Sequence, residues 1–354
     1  MMEKYAELTR EIYKMPLTHE LAQGAVERVR NLKGQKLPEL TAFDYSKVQR
    51  PIEGLFRNTC EDLSRKIKPL PLHEQQQHCL LYLFARITQV LYNAVVFIIA
   101  KQPPEPARNP KYALVLPSIN RQLIDLYVTL LYILDDFLPR VREYQQSGWK
   151  DLKKHVESEI EKHGKDPVWA EYIRNQQSVL ESTAIAYDVT PEQQAGWESI
   201  LWWDTPNRIK KKLEKKEKSH AKNPGTAPSL TKNEAAILHV INEWWGGTSR
   251  LAHMALSGLL EMAPFLIPAD AMGDAYNPAL EEYQLRSFTF EHFQRTALLA
   301  LSVLTEVNLF MKLENLEAIR SIWKNFIEFT AASPAPSESK EIYNVRYRES
   351  LGEL

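Results

Sequence analysis

The sequence predicts an all-α protein, a multi-helix bundle with a charged helical appendage. Glycine is scarce, at 12 of 354 residues, and the 21 prolines cluster between helical patterns, whereas an all-β fold needs frequent glycine turns. Helix-start signals recur along the chain. Apolar residues return at helical spacing, and no run alternates in the manner of a strand.

Each element follows from these signals. Thr190-Pro191-Glu192-Gln193 and Thr231-Lys232-Asn233-Glu234 have the form of capping boxes, in which a side-chain oxygen satisfies a free backbone N–H of the first turn. Asp166-Pro167 and Thr205-Pro206 place a capping residue before a proline, which has no N–H to leave unpaired. Helices are expected at about 2–14, 17–32, 51–68, 73–101, 118–138, 149–163, 167–187, 191–199, 206–220, 231–263 and 289–329. Pro139 should end or kink the fifth, and Gly246-Gly247 should break the tenth. Proline-rich or polar stretches at 102–117, 219–229 and 331–340 read as connections.

These boundaries divide the chain into N-terminal helices (1–72), a central bundle (73–146 with 231–330), a charged helical subdomain with a basic linker (147–230) and a C-terminal arm (331–354). The core is expected where 73–101 pairs antiparallel with 118–138 and 231–263 and 289–329 pack against both.

Composition narrows the function classes. Hydrophobic residues make up 44% and charged residues 25%, as in an ordinary globular protein. The formal net charge of −1 provides no global field toward nucleic acid or an anionic membrane, so any such binding has to be local. The two cysteines, Cys60 and Cys79, supply neither a disulfide framework nor a zinc spacing. The N-terminus lacks the apolar core of a signal peptide. The most apolar stretches, 79–100 and 123–134, are interrupted by Arg86, Gln89 and Asn93 and by Asp125. Buried helices rather than membrane spans are expected, in a cytoplasmic protein. No P-loop, GxGxxG, HExxH or nucleophile elbow is present, and nothing calls for a metal or cofactor.

Four groups of residues carry chemistry. Ser249, His253 and Ser257 stand four residues apart after the glycine pair, on one stripe of a helix. His253 lies at the edge of the apolar arc, where partial desolvation can move an imidazole across neutral pH. Its plainer role is a boundary histidine bonded to a carbonyl or a neighbouring helix. Polar residues inside apolar helices form the second group: Arg121, Asp125 and Thr129; Arg86, Gln89 and Asn93; and Glu306 within LLALSVLTEVNLFMKL. If these stripes face one another, Arg86, Asn93, Arg121, Asp125, Ser249 and His253 line a ligand pocket; otherwise each is the solvent side of its helix. A charge buried there has to be paired.

The third group is a basic run in which Arg208, Lys210, Lys211, Lys212, Lys215 and Lys216 can hold an RNA phosphate backbone, with Trp202 and Trp203 upstream to stack bases. The run also suits a solvated helix with local pairs to Glu214 and Glu217. The fourth is Arg286 followed after five residues by His292. This resembles the R-x(4–6)-H motif of HEPN ribonucleases, all-α proteins in which motifs from two protomers meet across a dimer and cleave RNA without metal. The resemblance implies a homodimer with Arg286 and His292 as catalytic residues. More broadly, an R-x3-acid helix (Arg121, Asp125) followed by an S-x3-H helix (Ser249, His253), over roughly residues 80–262, is similar to a set of all-helical bacterial proteins of unknown function. That likeness implies a fold and a shared polar site, and no reaction.

The leading expectation is a non-catalytic helical protein that binds an unknown protein partner or small ligand through a polar pocket between central helices. The alternative is an HEPN-like, metal-independent ribonuclease acting as a toxin or defence effector.

Overall fold

The computed structural model describes residues 44–101, 112–252, 265, 278–331 and 338–354. The helices expected at 2–14 and 17–32, and His253 with Ser257, lie outside the described residues. The protein is an all-α multi-helix bundle, with no strand among the described residues.

Helix α1 (Ser46–Ile67) and α2 (Leu72–Lys101) pair first; a 3₁₀ turn (Tyr112–Val115) leads into α3 (Leu116–Asp135). Then follow α4 (Phe137–His163), α5 (Ala170–Ala186), the short α6 (Pro191–Ala195) and α7 (Pro206–Lys222). Helix α8 (Lys232–Val240) runs through a π turn (Ile241–Trp245) into α9 (Gly246–Ala252). Two long helices, α10 (Pro278–Met311) and α11 (Leu316–Ala331), precede a C-terminal segment of α12 (Ser339–Ile342), a second π turn (Tyr343–Tyr347) and α13 (Arg348–Leu351).

Helix α10 is the axis of the core. It packs on α3, α2 and α1, and every residue from 296 to 308 is buried. A helix enclosed on all sides must satisfy its polar residues internally. Thr305 donates to Leu301 O (2.7 Å) and accepts from the Trp323 indole (3.0 Å), and Asn308 donates to Thr59 Oγ1 (2.9 Å). Helices α8 and α9 cover the other side of α3. Over Leu72–Ala100, α2 is long and apolar enough to cross a membrane, by length and composition. In this fold it buries Leu81, Phe84, Ala85, Tyr92 and Val95 in the core and leaves Leu83, Ile87 and Val90 exposed.

Local chemistry accounts for several element ends. Gln193 N donates to Thr190 Oγ1 (3.3 Å) and Thr190 N to Gln193 Oε1 (2.9 Å), closing one capping box. Glu234 N and Thr231 do the same at 3.1 and 2.9 Å. Asp166 caps its turn through Val168 N (2.9 Å), whereas Thr205 makes no side-chain cap. The helix expected at 118–138 ends at Asp135, ahead of Pro139, and Pro139 itself falls in the first turn of α4, where a missing N–H costs little.

Several expected helices differ, and the one expected at 149–163 begins at Phe137. The glycine pair does not break the helix; the chain inserts the π turn just before it. The stretch expected as one helix at 289–329 begins earlier and is divided after Met311. Lys312 takes a left-handed conformation (φ 50°), and the Lys66 ammonium donates to the free carbonyls of Met311 (2.6 Å) and Lys312 (2.8 Å). A cation at a helix C-terminus also suits the helix dipole.

A second, small core of Trp149, Val156, Leu180, Ala184, Val189 and Ile200 joins the far half of α4 to α5 and the turns after it. The Trp149 indole donates to Leu180 O (3.0 Å), and Lys150 bridges Glu198 O (2.7 Å) and Ile200 O (2.6 Å). The basic helix α7 belongs elsewhere: Ile209 and Leu213 anchor it on the main core.

Candidate functional site

The most closely built polar cluster lies where α3, α10 and the C-terminal segment meet. Glu306 on α10 accepts a hydrogen bond from the Tyr347 hydroxyl (2.9 Å) and pairs with the Arg346 guanidinium. The Tyr127 hydroxyl, from α3, lies 3.0 Å from that of Tyr347. Arg346 also donates to Asn233 Oδ1 (2.7 Å) and to Lys232 O (3.2 Å) at the start of α8. Burial pushes the Tyr127 phenol up to about 12 and Tyr347 well above the usual phenol range, and the Glu306 charge adds to both. For Arg346, burial opposes the charge, but Tyr127, Glu306 and Tyr347 more than offset it, and its pKa rises. The four side chains form one hydrogen-bonded, ion-paired unit.

Of this unit, Tyr127 and Arg346 line a pocket of about 240 Å³, and Glu306 and Tyr347 hold them through the bonds above. Its walls are mainly apolar, with Ala235, Ala236 and Val240 from α8, Trp244 from the π turn, and Ile342 and Val345 from the C-terminal segment, while Lys232 and Glu341 add one charge of each sign. His239 stands at its side, edge-on to Trp244 (centroids 6.0 Å, 75°). The Trp244 indole donates to the Glu338 carboxylate, which ties the C-terminal segment to the pocket wall. The π turn sets this geometry. One extra residue in the turn sends Trp244 into the core and leaves its neighbour Trp245 to contact α3.

Trp245 reaches the residues singled out in the sequence. The Arg121 guanidinium lies 4.0 Å from the centre of the Trp245 ring and donates to Asp125 Oδ1 (2.7 Å), which also accepts from the Trp245 indole (3.0 Å). Burial lowers the Arg121 pKa, and Asp125 works against that shift. Ser249 is half-buried on α9, which packs on α3. Arg86 and Asn93 are elsewhere. Arg86 donates to Gln89 Oε1 (2.6 Å), and with Asn93 they line an open hollow of about 970 Å³ between α1 and α2, beside Glu53, Arg57 and Cys60. No residue of α3 lines that hollow, so the Arg86–Asn93 and Arg121–Asp125 stripes do not share a pocket. The reason is geometric: Tyr92 and Val95, on the opposite face of α2, fill the core that the helix shares with α3 and α10.

Arg286 and His292 also part. Six residues turn a helix by roughly 240°. Arg286 points outward, with 59% of its side chain exposed, and pairs with Glu282. His292 points into the core, where its Nδ1 meets the Asn120 amide (2.9 Å) and Phe288 lies edge-on to the ring (4.3 Å). Asn120 Oδ1 in turn accepts from Thr296 (2.6 Å). Burial, with a smaller contribution from Arg295, pushes the imidazole down to about 3. It is neutral and occupied by structural bonds, whereas acid–base work needs access to a reacting proton.

In the basic helix, Lys210, Lys212 and Lys216 are paired with Glu214 (3.6 Å), Asp204 and Glu234 (2.5 Å). Trp203 packs on Tyr132 and Tyr144, while Trp202 is 42% exposed beside Lys150. Among the described residues, no group of three or more His, Cys, Asp or Glu side chains is placed to hold a metal ion.

No family model, curated protein or solved structure matches this chain. Sequence reasoning noticed Glu306 as a charge in an apolar run, but it missed Tyr127, Trp244, Arg346 and Tyr347. The available signal was the C-terminal YNVRY, whose tyrosines and arginine recur at helical spacing.

Proposed function

We propose that this is a non-catalytic helical binding protein whose ligand sits in the pocket between α8, the π turn and the C-terminal segment. One observation carries the reading: Tyr127 and Arg346, held in a hydrogen-bonded network with Glu306 and Tyr347, line a mainly apolar cavity. Binding sites have this composition, with mainly apolar walls and a few polar groups that orient the ligand. Stability alone accounts poorly for the unit, because well-packed apolar residues serve a core as well as a buried ion pair or better. Arg346 and His239 favour a small ligand with an apolar body and an acceptor group, such as a carboxylate or carbonyl, at one end.

Saturation-transfer NMR with benzoate, phenylacetate and their amides tests this. The wild type is expected to transfer saturation to the aromatic protons, and Val345→Trp, which fills the mouth, to abolish the transfer while leaving the fold intact. Equal transfer in both proteins would sink the proposal.

A further inference from the structure

A second surface stands apart from the pocket. On α7, the pairing of Lys210, Lys212 and Lys216 uses up the neighbouring carboxylates of Glu214, Asp204 and Glu234. Arg208, Lys211, Lys215, Lys218 and Lys222 remain. All five are exposed and, among the described residues, have no side-chain hydrogen bond or ion pair. Their 3-4-3-4 spacing places them within about 80° of arc, opposite the buried Ile209 and Leu213, and no acidic residue falls inside that arc. From Arg208 to Lys222 the row runs about 21 Å. A shallow trough of about 500 Å³ follows Lys211, Lys215, Lys218 and Lys222, with Glu214, held by Lys210, at its border.

We infer that this row binds nucleic acid through its phosphates, without reading base sequence. Charge complementarity selects a polyanion, and the composition of the face selects its kind. Protein interfaces are depleted in lysine and built around aromatic or apolar anchors. This face has four lysines, an arginine and small polar residues. Binding an anionic membrane through an amphipathic helix requires an apolar face free to insert, and the apolar face of α7 is in the core. Phosphate backbones, by contrast, are held chiefly by Lys and Arg with polar side chains, need no apolar anchor, and supply regularly spaced charge. Of the run expected to bind RNA, Arg208, Lys211 and Lys215 stay, Lys210 pairs within α7, Lys212 and Lys216 tie it to Asp204 and to Glu234 of α8, and Lys218 and Lys222 join.

The test is fluorescence anisotropy of the full-length protein with a labelled oligouridylate long enough to span the row, titrated at several KCl concentrations. With three to five phosphates neutralised, log Kd should rise with log[KCl] at a slope of about 2 to 3.5. The triple substitution Lys211→Gln, Lys215→Gln, Lys218→Gln should weaken binding at least ~10-fold at low salt and lower the slope by about 2. These exposed residues leave the melting temperature unchanged. A control of equal net charge, Lys162→Gln, Lys165→Gln, Lys324→Gln, should bind as the wild type does. The inference is overturned if no binding is seen at low salt, if the two triple variants lose affinity equally, or if polyglutamate of matched charge binds as tightly as the RNA. The pocket variant Val345→Trp should bind RNA normally, so this surface and the pocket fail or stand separately.

Discussion

The Glu306 carboxylate and the Tyr347 hydroxyl lie 2.9 Å apart, with Glu306 only 8% exposed and Tyr347 fully buried. This bond fastens the C-terminal segment to the central helix. Around it, Tyr343, Tyr347 and Leu351 bury against α11, with Trp323 tilted 41° to Tyr347 at 5.2 Å. The C-terminal arm, set apart in the sequence by the connection at 331–340, contributes Tyr343, Tyr347 and Leu351 to the core.

Removing one partner of this unit should cost more than removing two. Glu306→Leu leaves the Arg346 charge buried without its counter-charge, and Arg346→Leu does the same to Glu306, each at about 3–5 kcal/mol. The double variant Glu306→Leu, Arg346→Leu removes both ions and should recover most of that loss. Urea denaturation of the wild type, both single variants and the double closes the cycle. Additive losses would show that the two residues do not act as a pair.

Acid should destabilise the protein through His292. Its folded pKa is pushed down to about 3, while an unfolded histidine titrates near 6.5. Below that value the unfolded state binds the proton and the buried imidazole does not. The stability His292 confers is therefore fully present above about pH 6.5 and is lost at about 1.4 kcal/mol per pH unit as pH falls toward 3. His292→Gln should flatten the stability profile between pH 6.5 and 4 relative to wild type. Parallel profiles would show that the histidine is solvated or already charged.

How much of this could be read from the sequence depended on range. The capping boxes at Thr190 and Thr231 were legible because each is complete within four residues. The bundle was legible because apolar spacing is also local. The division after Met311 was not: Lys66 completes it from 245 residues away. Glu306 stood out as a charge in an apolar run, but its partners Tyr127 and Arg346 lie 179 and 40 residues distant. Arg121 and Asp125 paired as their four-residue step predicts, yet nothing in a single sequence indicated that a π turn would bring Trp245 onto them.

That Trp245 contact gives a further prediction. Asp125 accepts from both Arg121 and the Trp245 indole, and its side chain is 40% exposed, so water screens the charge. Asp125→Asn should cost only about 1 kcal/mol and shift Trp245 fluorescence, because the indole loses its anionic acceptor. Arg121→Met should cost a similar amount and remove the cation above the ring. An unchanged spectrum in both variants would show that the three side chains do not form one cluster.

The start of α8 ties the fold to the pocket. Thr231 Oγ1 accepts from Glu234 N (3.1 Å) and donates to Asp135 Oδ1 (2.5 Å) at the end of α3, while Glu234 holds Lys216 of α7 (2.5 Å). One threonine thus sets the start of the helix that supplies Ala235, Ala236, His239 and Val240 to the pocket wall. Thr231→Ala removes both bonds and should lower stability by about 1–2 kcal/mol. Thr231→Ser keeps the hydroxyl and should behave nearly as wild type. Hydrogen exchange locates the effect: the amides of Lys232 to Ala236 should exchange faster in the alanine variant, while those at the centre of α10 keep their protection relative to global unfolding. Saturation transfer to benzoate should weaken in parallel, because the frayed turn is one wall of the cavity. Loss of stability with an undisturbed pocket signal would place the ligand away from α8.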